Sequence, residues 1–186
     1  MLLPADAHEI LRTADLLCPA EAVTGAVRRV AAEISGALAS AHPLVLCVMS
    51  GAVVFTGQLL PRLEFPLDLD YVHLTRYGDA TVGGRIEWKM FPAAKIAGRV
   101  VLVIDDILDE GHTLAEIRRR VLAAGAAKCY AAVFADKTIG RAKPAAADFV
   151  GITLPDRYVF GFGMDVKGAW RNLPAVYAMK QENNGC

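Results

Sequence analysis

The sequence predicts an α/β protein whose core is a parallel β-sheet flanked by helices. Largely apolar runs at 43–49, 100–104 and 128–134 are typical of strands that are buried on both faces. Segments with apolar residues three or four positions apart follow the first two runs, as in helices that cover a sheet. Strands that alternate with helices in this way usually form a parallel sheet, because each parallel connection needs a crossover.

The composition fits one folded domain over residues 1–186. Apolar residues make up 54% of the chain, which is enough for a substantial core. The formal net charge is zero, so it gives no electrostatic reason to expect nucleic acid or an anionic membrane as a partner. No apolar segment reaches the roughly 20 residues of a transmembrane helix.

Two further features predict a cytoplasmic protein. The first residues, MLLP, lack the basic start and long apolar run of a signal peptide. The cysteines are Cys18, Cys47, Cys129 and Cys186. They are too widely spaced for a zinc motif or a disulfide framework, so we expect free thiols in a reducing compartment.

The first half of the chain predicts a strand–turn–helix unit behind a long helix. Residues 20–41 carry the clearest helical pattern, and 43–49 is a buried strand. The turn at 50–52 leads into a helical pattern at 53–63. Because this turn lies at the carboxyl end of a strand, Gly51 either eases a tight bend or lets a ligand approach the backbone.

A strand and a glycine-containing connection follow. Residues 66–74 alternate in polarity and predict a strand. The chain after Thr75 contains Gly78, Gly83 and Gly84, which is typical of a long mobile loop or a loose hairpin. Long loops in compact domains often act as lids over a site.

The most informative stretch is 99–114, RVVLVIDDILDEGHTL. A buried strand ends in two carboxylates, Asp105 and Asp106, and a turn containing Gly111 leads into a helical pattern at 113–124. Carboxylates accept hydrogen bonds from sugar hydroxyls, whereas turn amides and a helix N-terminus attract anions. A ribose that carries a phosphate matches both properties.

The rest of the chain predicts one more core strand and a different kind of lobe. The strand at 128–134 is followed by Lys137, which lies near the cleft of Asp105 if its side chain points inward. Short extended pieces such as 149–152 and 158–160 are separated by prolines and glycines, which predicts a small antiparallel lobe.

Other nucleotide-binding classes match poorly. Neither GxxxxGK[ST] nor GxGxxG occurs, which disfavours a P-loop nucleotidase or a dinucleotide-binding enzyme. A phosphorylation receiver domain also has paired aspartates, but there the pair follows the first strand. Here Asp105 and Asp106 lie beyond the midpoint of the chain.

Residues 100–114 resemble the phosphoribosyl-pyrophosphate (PRPP) motif of the type I phosphoribosyltransferases, and most closely that of the hypoxanthine-guanine branch. Further segments match in the family's order: Ser50-Gly51, Arg76-Tyr77-Gly78, Lys137, 155–165 and 170–174. The resemblance implies the type I phosphoribosyltransferase fold. It places the core at about 21–145 and a small hood at about 1–20 and 146–186.

The resemblance also implies a role for each matching residue. Asp105 and Asp106 would bind the ribose hydroxyls, and Asp109 would be the general acid or base at purine N7. Lys137 would contact the 6-oxo group, and Tyr158 would stack on the base. The other implied contacts are Ile107, Leu108, Glu110, Gly111, His112 and Thr113 with PRPP; Val159 and Asp165 with the purine; Ser50, Gly51 and Arg171 with pyrophosphate; Arg76 and Tyr77 in a flexible loop; and Asp165, with Asp105 and Asp106, at Mg²⁺.

The chain departs from the family's pattern at four positions. Asp105 stands where glutamate is common, and its shorter arm still accepts a hydroxyl bond. Glu110 stands where serine or threonine usually contacts the phosphate, so we expect its carboxylate to point outward. Arg76 replaces a loop serine, and Ser50 replaces a lysine common in some members. These departures affect the expected affinity more than the expected reaction.

The implied function is purine salvage: transfer of the 5-phosphoribosyl group from PRPP to hypoxanthine or guanine, giving IMP or GMP and pyrophosphate. Mg²⁺ would be the cofactor, and a dimer or tetramer would be the assembly. Two alternatives stay open. One is a PRPP- or nucleotide-sensing regulator of the same fold, which the neutral charge and the retained Asp109 and Lys137 disfavour. The other is a phosphoribosyltransferase for xanthine or a pyrimidine base.

Overall fold

The computed structural model describes residues 2–77 and 85–180, which form a six-stranded sheet flanked by helices and a separate three-stranded sheet. The helices are α1 (Pro4–Thr13), α2 (Ala20–Leu38), α3 (Val53–Leu59) and α4 (His112–Ala123). The strands of the large sheet are β2 (Leu44–Met49), β3 (Asp68–Tyr77), β4 (Arg85–Met90), β5 (Val100–Leu108), β6 (Lys128–Thr138) and β7 (Phe149–Pro155). The small sheet contains β1 (Asp15–Cys18), β8 (Val159–Phe160) and β9 (Val176–Ala178).

The large sheet has the strand order β4-β3-β2-β5-β6-β7, and all its neighbours are parallel except β3 and β4. The predicted parallel core is therefore confirmed. The central strands β2 and β5 are almost wholly buried, as their continuous apolar sequences require. Because Cys47 pairs with Ile104, the turn after β2 and the aspartates of β5 lie side by side.

Amphipathic helices cover this sheet. Helix α2 buries the predicted apolar stripe, and α4 buries a second one. The helix predicted at 53–63 is shorter in the structure: α3 ends at Leu59 and continues as a single 3-10 turn at Leu60–Arg62. Pro61 explains this ending, because it has no N–H to continue an α-helical ladder. Among the described helices, none is long and apolar enough to cross a membrane.

The small sheet joins the two ends of the chain, because β9 lies between β1 and β8. The indole of Trp170 donates a 2.7 Å hydrogen bond to the carbonyl of Ala7, which ties α1 to the same lobe. The predicted antiparallel lobe is confirmed for the piece at 158–160, whose strand β8 pairs antiparallel with β9. The strand β1 was not predicted, since 15–18 lies between two helical patterns.

The prediction that 149–152 belongs to the antiparallel lobe is wrong. Strand β7 extends the large sheet and runs parallel to β6, from the pair Ala132–Phe149 to the pair Thr138–Pro155. The connection at 139–148 contains no helix, so the alternation that marks a parallel unit is missing from the sequence. Gly151 allows this close pairing, because a Cβ there would lie 3.2 Å from the Cα of Phe134 and closer still to its carbonyl oxygen.

Two other strands extend further than predicted. Strand β5 continues to Leu108 and β6 to Thr138, so Asp105, Asp106 and Lys137 lie within strands and not beyond them. The two strands pair with each other as far as Leu108 and Asp136, which satisfies backbone groups that would otherwise need other partners.

The region after Thr75 follows the hairpin alternative, since β3 and β4 pair from His73–Met90 to Tyr77–Arg85. Residues 78–84 lie outside the described residues, and so do the side chains of Arg76 and Tyr77. The expected loop closure therefore stays a prediction. Cys18, Cys47 and Cys129 are free thiols, as predicted; Cys186 lies outside the described residues.

Candidate active site

The acidic pair lies in the second half of β5, where the strand emerges from the core. Asp105 is buried and Asp106 is partly exposed. Each carboxylate accepts a 2.9 Å hydrogen bond from the next backbone amide, Asp105 from Asp106 and Asp106 from Ile107. Burial raises the pKa of Asp105 well above its usual range, and the charge of Asp106 raises it further. Burial likewise raises the pKa of Asp106. This pair is therefore costly to ionise until a ligand donates hydrogen bonds or positive charge to it.

Two glycines bring the turn after β2 and the C-terminal lobe against this pair. A Cβ on Gly51 would lie 2.6 Å from Cγ of Asp106, so only glycine leaves room for the carboxylate. Gly163 has φ +100°, and a Cβ at this position would overlap the carbonyl oxygen of Gly51. The Met49–Ser50 peptide before this turn is cis. Three segments far apart in the chain thus converge within van der Waals contact.

The turn from Asp109 to Thr113 forms one wall of a cleft of about 340 Å³. Gly111 precedes α4 with φ 85°, in the left-handed region that favours glycine. The N-cap residue of α4, Gly111, has no side chain that could accept a hydrogen bond from the first amides of the helix, which leaves these amides able to bind an anion. Ser50, Gly51, Asp105 and Asp106 line the same cleft, together with Asp165 and Arg171. The cleft thus places two carboxylates beside a helix N-terminus.

A second pocket of about 220 Å³ adjoins the cleft and shares Asp106, Ile107, Asp109 and Asp165 with it. Lys137 and Tyr158 line this pocket. The ammonium of Lys137 lies 3.1 Å from a carboxylate oxygen of Asp109 and 3.9 Å from one of Asp156. Tyr158 is half-exposed and lines this pocket, and an aromatic ring there can stack on a planar ligand. An ammonium, a carboxylate and an aromatic ring can together bind a polar heterocycle.

Asp165 and Arg171 connect the two pockets to the C-terminal lobe. The Asp165 carboxylate accepts a 2.7 Å hydrogen bond from the amide of Gly168 and forms an ion pair with Arg171. Arg171 also donates a 2.6 Å hydrogen bond to the carbonyl of Gly163. These contacts orient the Arg171 guanidinium toward the cleft, next to the turn at Gly51.

The structure brings together most residues that the sequence predicts for the site. Those lining one or both pockets are Ser50, Gly51, Asp105, Asp106, Ile107, Leu108, Asp109, Glu110, Gly111, Thr113, Lys137, Tyr158, Val159, Asp165 and Arg171. His112 is exposed and lines neither of them. Its side chain is therefore not part of the described cleft, although its amide belongs to the first turn of α4.

The departure at Glu110 has a partner that the sequence analysis did not identify. The Glu110 carboxylate pairs with Arg141 at 2.5 Å, and it is one-third exposed while it lines the cleft. Lys143 was also missed. Its ammonium binds the carbonyls of Leu108 and Lys137 and the carboxylate of Asp136. Neither partnership leaves a local sequence signal, because the partners belong to different strands and loops.

Comparison with known proteins agrees with this geometry. A model of the phosphoribosyl transferase domain matches residues 17–167. A hypoxanthine-guanine phosphoribosyltransferase of Streptococcus pneumoniae is 30% identical over 161 residues, which cover 86% of this chain and 89% of the relative. A bifunctional TilS/HprT protein of Listeria innocua is 32% identical over 157 residues; the match covers 84% of this chain but only 24% of that longer protein.

The fold also matches solved structures. A hypoxanthine phosphoribosyltransferase from Staphylococcus aureus superposes with a TM-score of 0.86 at 22% identity, and the match covers 92% of this chain and 95% of that one. The likeness in fold, the match to the domain model over most of the chain and the relatives at 30% identity or above agree with one another. The chain belongs to the phosphoribosyltransferase family.

Proposed function

We propose that this protein transfers the 5-phosphoribosyl group of PRPP to a 6-oxopurine, hypoxanthine or guanine, and releases pyrophosphate. The observation that carries the proposal is the pair of adjoining pockets, one with an acidic pair beside a helix N-terminus and the other with Lys137, Asp109 and Tyr158. Relatives of similar length carry the name of this activity.

The larger cleft would hold PRPP. Asp105 and Asp106 accept hydrogen bonds from the ribose hydroxyls, which offset the burial that raises their pKa values. The backbone amides from Asp109 to Thr113 bind the 5-phosphate at the start of α4. Arg171 and the amide of Gly51 bind the pyrophosphate, for which a guanidinium is well suited.

The smaller pocket would hold the purine. Lys137 donates to the 6-oxo oxygen, and because an ammonium has no acceptor, adenine with its 6-amino donor is disfavoured. Asp109 lies beside Lys137 and holds or moves the proton at purine N7. Tyr158 stacks on the ring. As purine nitrogen bonds to the anomeric carbon, the bond from that carbon to pyrophosphate breaks, and negative charge builds on the leaving group beside Arg171.

The residues also fit Mg²⁺. Asp105, Asp106 and Asp165 offer the carboxylate oxygen that this hard cation prefers. Among the described residues there is no cluster of three or more acidic, histidine or cysteine side chains placed to hold a metal alone. Mg²⁺ would be held by one or two of these carboxylates together with substrate oxygens, and it would supply positive charge to the pyrophosphate.

The test is turnover by the purified protein with PRPP, Mg²⁺ and each of four bases: hypoxanthine, guanine, xanthine and adenine. The absorbance change from base to nucleotide reports the rate. We expect hypoxanthine and guanine to be used and adenine to be used least. Lack of turnover with both 6-oxopurines would reject the proposal, and binding of GMP without any turnover would identify a nucleotide-sensing protein of the same fold.

A further inference from the structure

Lys143 lies outside both pockets, and yet it contacts the backbone on which the purine pocket is built. We propose that Lys143 is a positioning residue that holds Asp109 and Lys137 in register to receive the purine. This inference rests on the proposed function, since it gives those two side chains a common ligand. Three sets of contacts support it.

The first set concerns the ends of two strands. The ladder between β5 and β6 has its last pair at Leu108 and Asp136. Beyond this pair, the ammonium of Lys143 donates 2.7 Å to the carbonyl of Leu108 and 2.6 Å to the carbonyl of Lys137. The first carbonyl belongs to the residue before Asp109, and the second belongs to Lys137, the lysine proposed to contact the purine. Lys143 thus replaces the missing ladder bonds where the two side chains leave the sheet.

The second set concerns charge and burial. The third donor of Lys143 binds the carboxylate of Asp136 at 2.6 Å. An ammonium has three donors, so all of them are used. The Lys143 side chain is only 13% exposed, which leaves little room for water to replace a lost contact. Because the donor is charged, each of these hydrogen bonds restricts the position of its acceptor more strongly than a hydrogen bond from a neutral donor would.

The third set concerns the turn that carries Asp109. Gly111 packs against the segment that begins at Lys143: a Cβ on Gly111 would lie 3.1 Å from Cβ of Lys143 and 3.3 Å from the carbonyl oxygen of Ala145. The stem of Lys143 therefore supports the phosphate-binding turn, while its ammonium supports the purine-binding backbone. A substitution can separate the two effects.

The geometry that depends on Lys143 is the 3.1 Å approach of Lys137 to Asp109. If the ammonium is removed, the carbonyls of Leu108 and Lys137 lose their common partner. The two segments can then separate, and the purine contacts become misaligned with the anomeric carbon. Misplacement of reacting groups by about 1 Å can cost about 100-fold in rate.

The variant Lys143→Met removes the ammonium and keeps the packing of the stem under Gly111. We expect kcat/KM for hypoxanthine to fall about 100-fold through a lower kcat and a higher purine KM. The dissociation constant for Mg²⁺-PRPP should stay unchanged, and the preference for hypoxanthine over adenine should shrink because Lys137 is less constrained. Lys143→Arg should recover part of the loss, since a guanidinium can donate to the same acceptors.

Lys95→Met is the matched control, because Lys95 also binds an aspartate, Asp70, at 2.7 Å but lies away from both pockets. This variant should change neither kcat/KM for hypoxanthine nor the dissociation constant for Mg²⁺-PRPP. Asp136→Asn tests the positioning role of Lys143 in a second way. It keeps Lys143 and weakens one of its contacts, so kcat/KM for hypoxanthine should fall by a smaller factor than in Lys143→Met. An unchanged kcat/KM for hypoxanthine in Lys143→Met, or an equal loss of PRPP affinity, would overturn the inference.

The proposed function can fail separately. If the wild-type protein turns over none of the four bases, the affinities for GMP and for ribose 5-phosphate decide the role of Lys143. A Lys143→Met protein that binds GMP more weakly and ribose 5-phosphate equally well would still support the positioning role. Equal affinities of mutant and wild type for both ligands would reject it.

Discussion

Asp105 and Asp109 are four residues apart and have opposite environments. Asp105 is buried at the end of a core strand beside a second carboxylate, and its pKa is raised by burial. Asp109 is half-exposed on the following turn, 3.1 Å from the ammonium of Lys137. One short stretch thus contains an acid that resists ionisation and a carboxylate that already has a cationic partner. Environments that differ in this way assign different roles to chemically identical groups.

The part of the site around Asp105 and Asp106, here called the core half, holds two carboxyl groups that are unfavourable to ionise. In the part around Asp109 and Lys137, here called the purine half, the carboxylate already has a cationic partner. Under the proposed function, a sugar and a cation would relieve the unfavourable ionisation in the core half, and substrate binding would be coupled to the ionisation of the pair. Asp109 is half-exposed and lines the smaller pocket together with Lys137. Substitutions in the two halves should therefore affect different measurable quantities, namely turnover on one side and PRPP affinity or stability on the other.

The largest effect is expected for Asp109→Asn, which keeps the shape of the side chain and removes its basicity. Turnover should fall about 10²- to 10⁴-fold, the usual contribution of a general acid or base. The dissociation constant for PRPP should change little, because the turn amides remain. Rapid-quench or steady-state assays, with PRPP binding measured separately by calorimetry, give the two numbers.

Asp156→Asn is the control, since Asp156 also lies near Lys137, at 3.9 Å, but is more exposed. It should keep most of the activity. If Asp109→Asn turned over as fast as the wild type, Asp109 would have no place in the mechanism, and the contrast with Asp105 would have no functional meaning.

The next effect is expected for Gly51→Ala, which tests how closely the core half is packed. The new Cβ would overlap the Asp106 carboxylate, and that side chain can yield only by leaving its position. We expect the KM for PRPP to rise about 10- to 100-fold, the scale of a displacement near 1 Å. Gly57→Ala is a matched control in α3, where a Cβ has open space; it should not affect KM. A normal KM for PRPP in Gly51→Ala would show that Asp106 is not needed in its present position.

The sequence was sufficient for the core half of the site and less so for the other. Continuous apolar runs locate β2 and β5. Gly51 lies just after the first run and the two aspartates just after the second, so the parallel strand topology predicts that these residues lie close together. The purine half depends on contacts between distant segments. The resemblance to a known family supplied Lys137 and Tyr158, whereas the composition and spacing around them did not.

The missed features share a physical cause. Lys143 binds a carbonyl 35 residues earlier, and Arg141 pairs with a carboxylate 31 residues earlier. Such pairs depend on loop paths, for which hydrophobic periodicity carries no information. Strand β7 was misassigned for a related reason, since its connection to β6 has no helix and its partner is determined only by the finished sheet.

A moderate effect is expected for Asp105→Asn, and it is a gain: the free energy of unfolding at pH 7 should increase. A carboxyl whose pKa is raised in the folded state makes the protein less stable as pH rises from the unfolded value, 3.8, through the raised folded pKa. Asparagine cannot ionise, so this variant should be more stable at pH 7 by about 0.5–2 kcal/mol and should lose the part of that pH dependence that comes from Asp105. Its affinity for PRPP should fall. Denaturant unfolding between pH 4 and 8 measures the first two properties.

Asp68→Asn provides a control of opposite direction, because a hydrogen bond from Arg99 lowers the pKa of Asp68. That carboxylate contributes stability above its unfolded pKa and loses it as pH falls, so its removal should not stabilise the protein at pH 7. If Asp105→Asn were less stable than the wild type at pH 7, the buried pair would not be a site of unfavourable energy.

The smallest effect is expected at the pair of Glu110 and Arg141. Glu110 lines the cleft of about 340 Å³, and its carboxylate pairs with Arg141, whose side chain is exposed. Arg141→Gln should raise the KM for PRPP, and Glu110→Thr should lower it, each by less than about fivefold because exposed ion pairs contribute only about 0.2–1 kcal/mol. The double variant should return close to the wild-type KM. Higher salt should reduce each single effect, whereas additive effects in the double variant would mean that Arg141 acts on PRPP independently of Glu110.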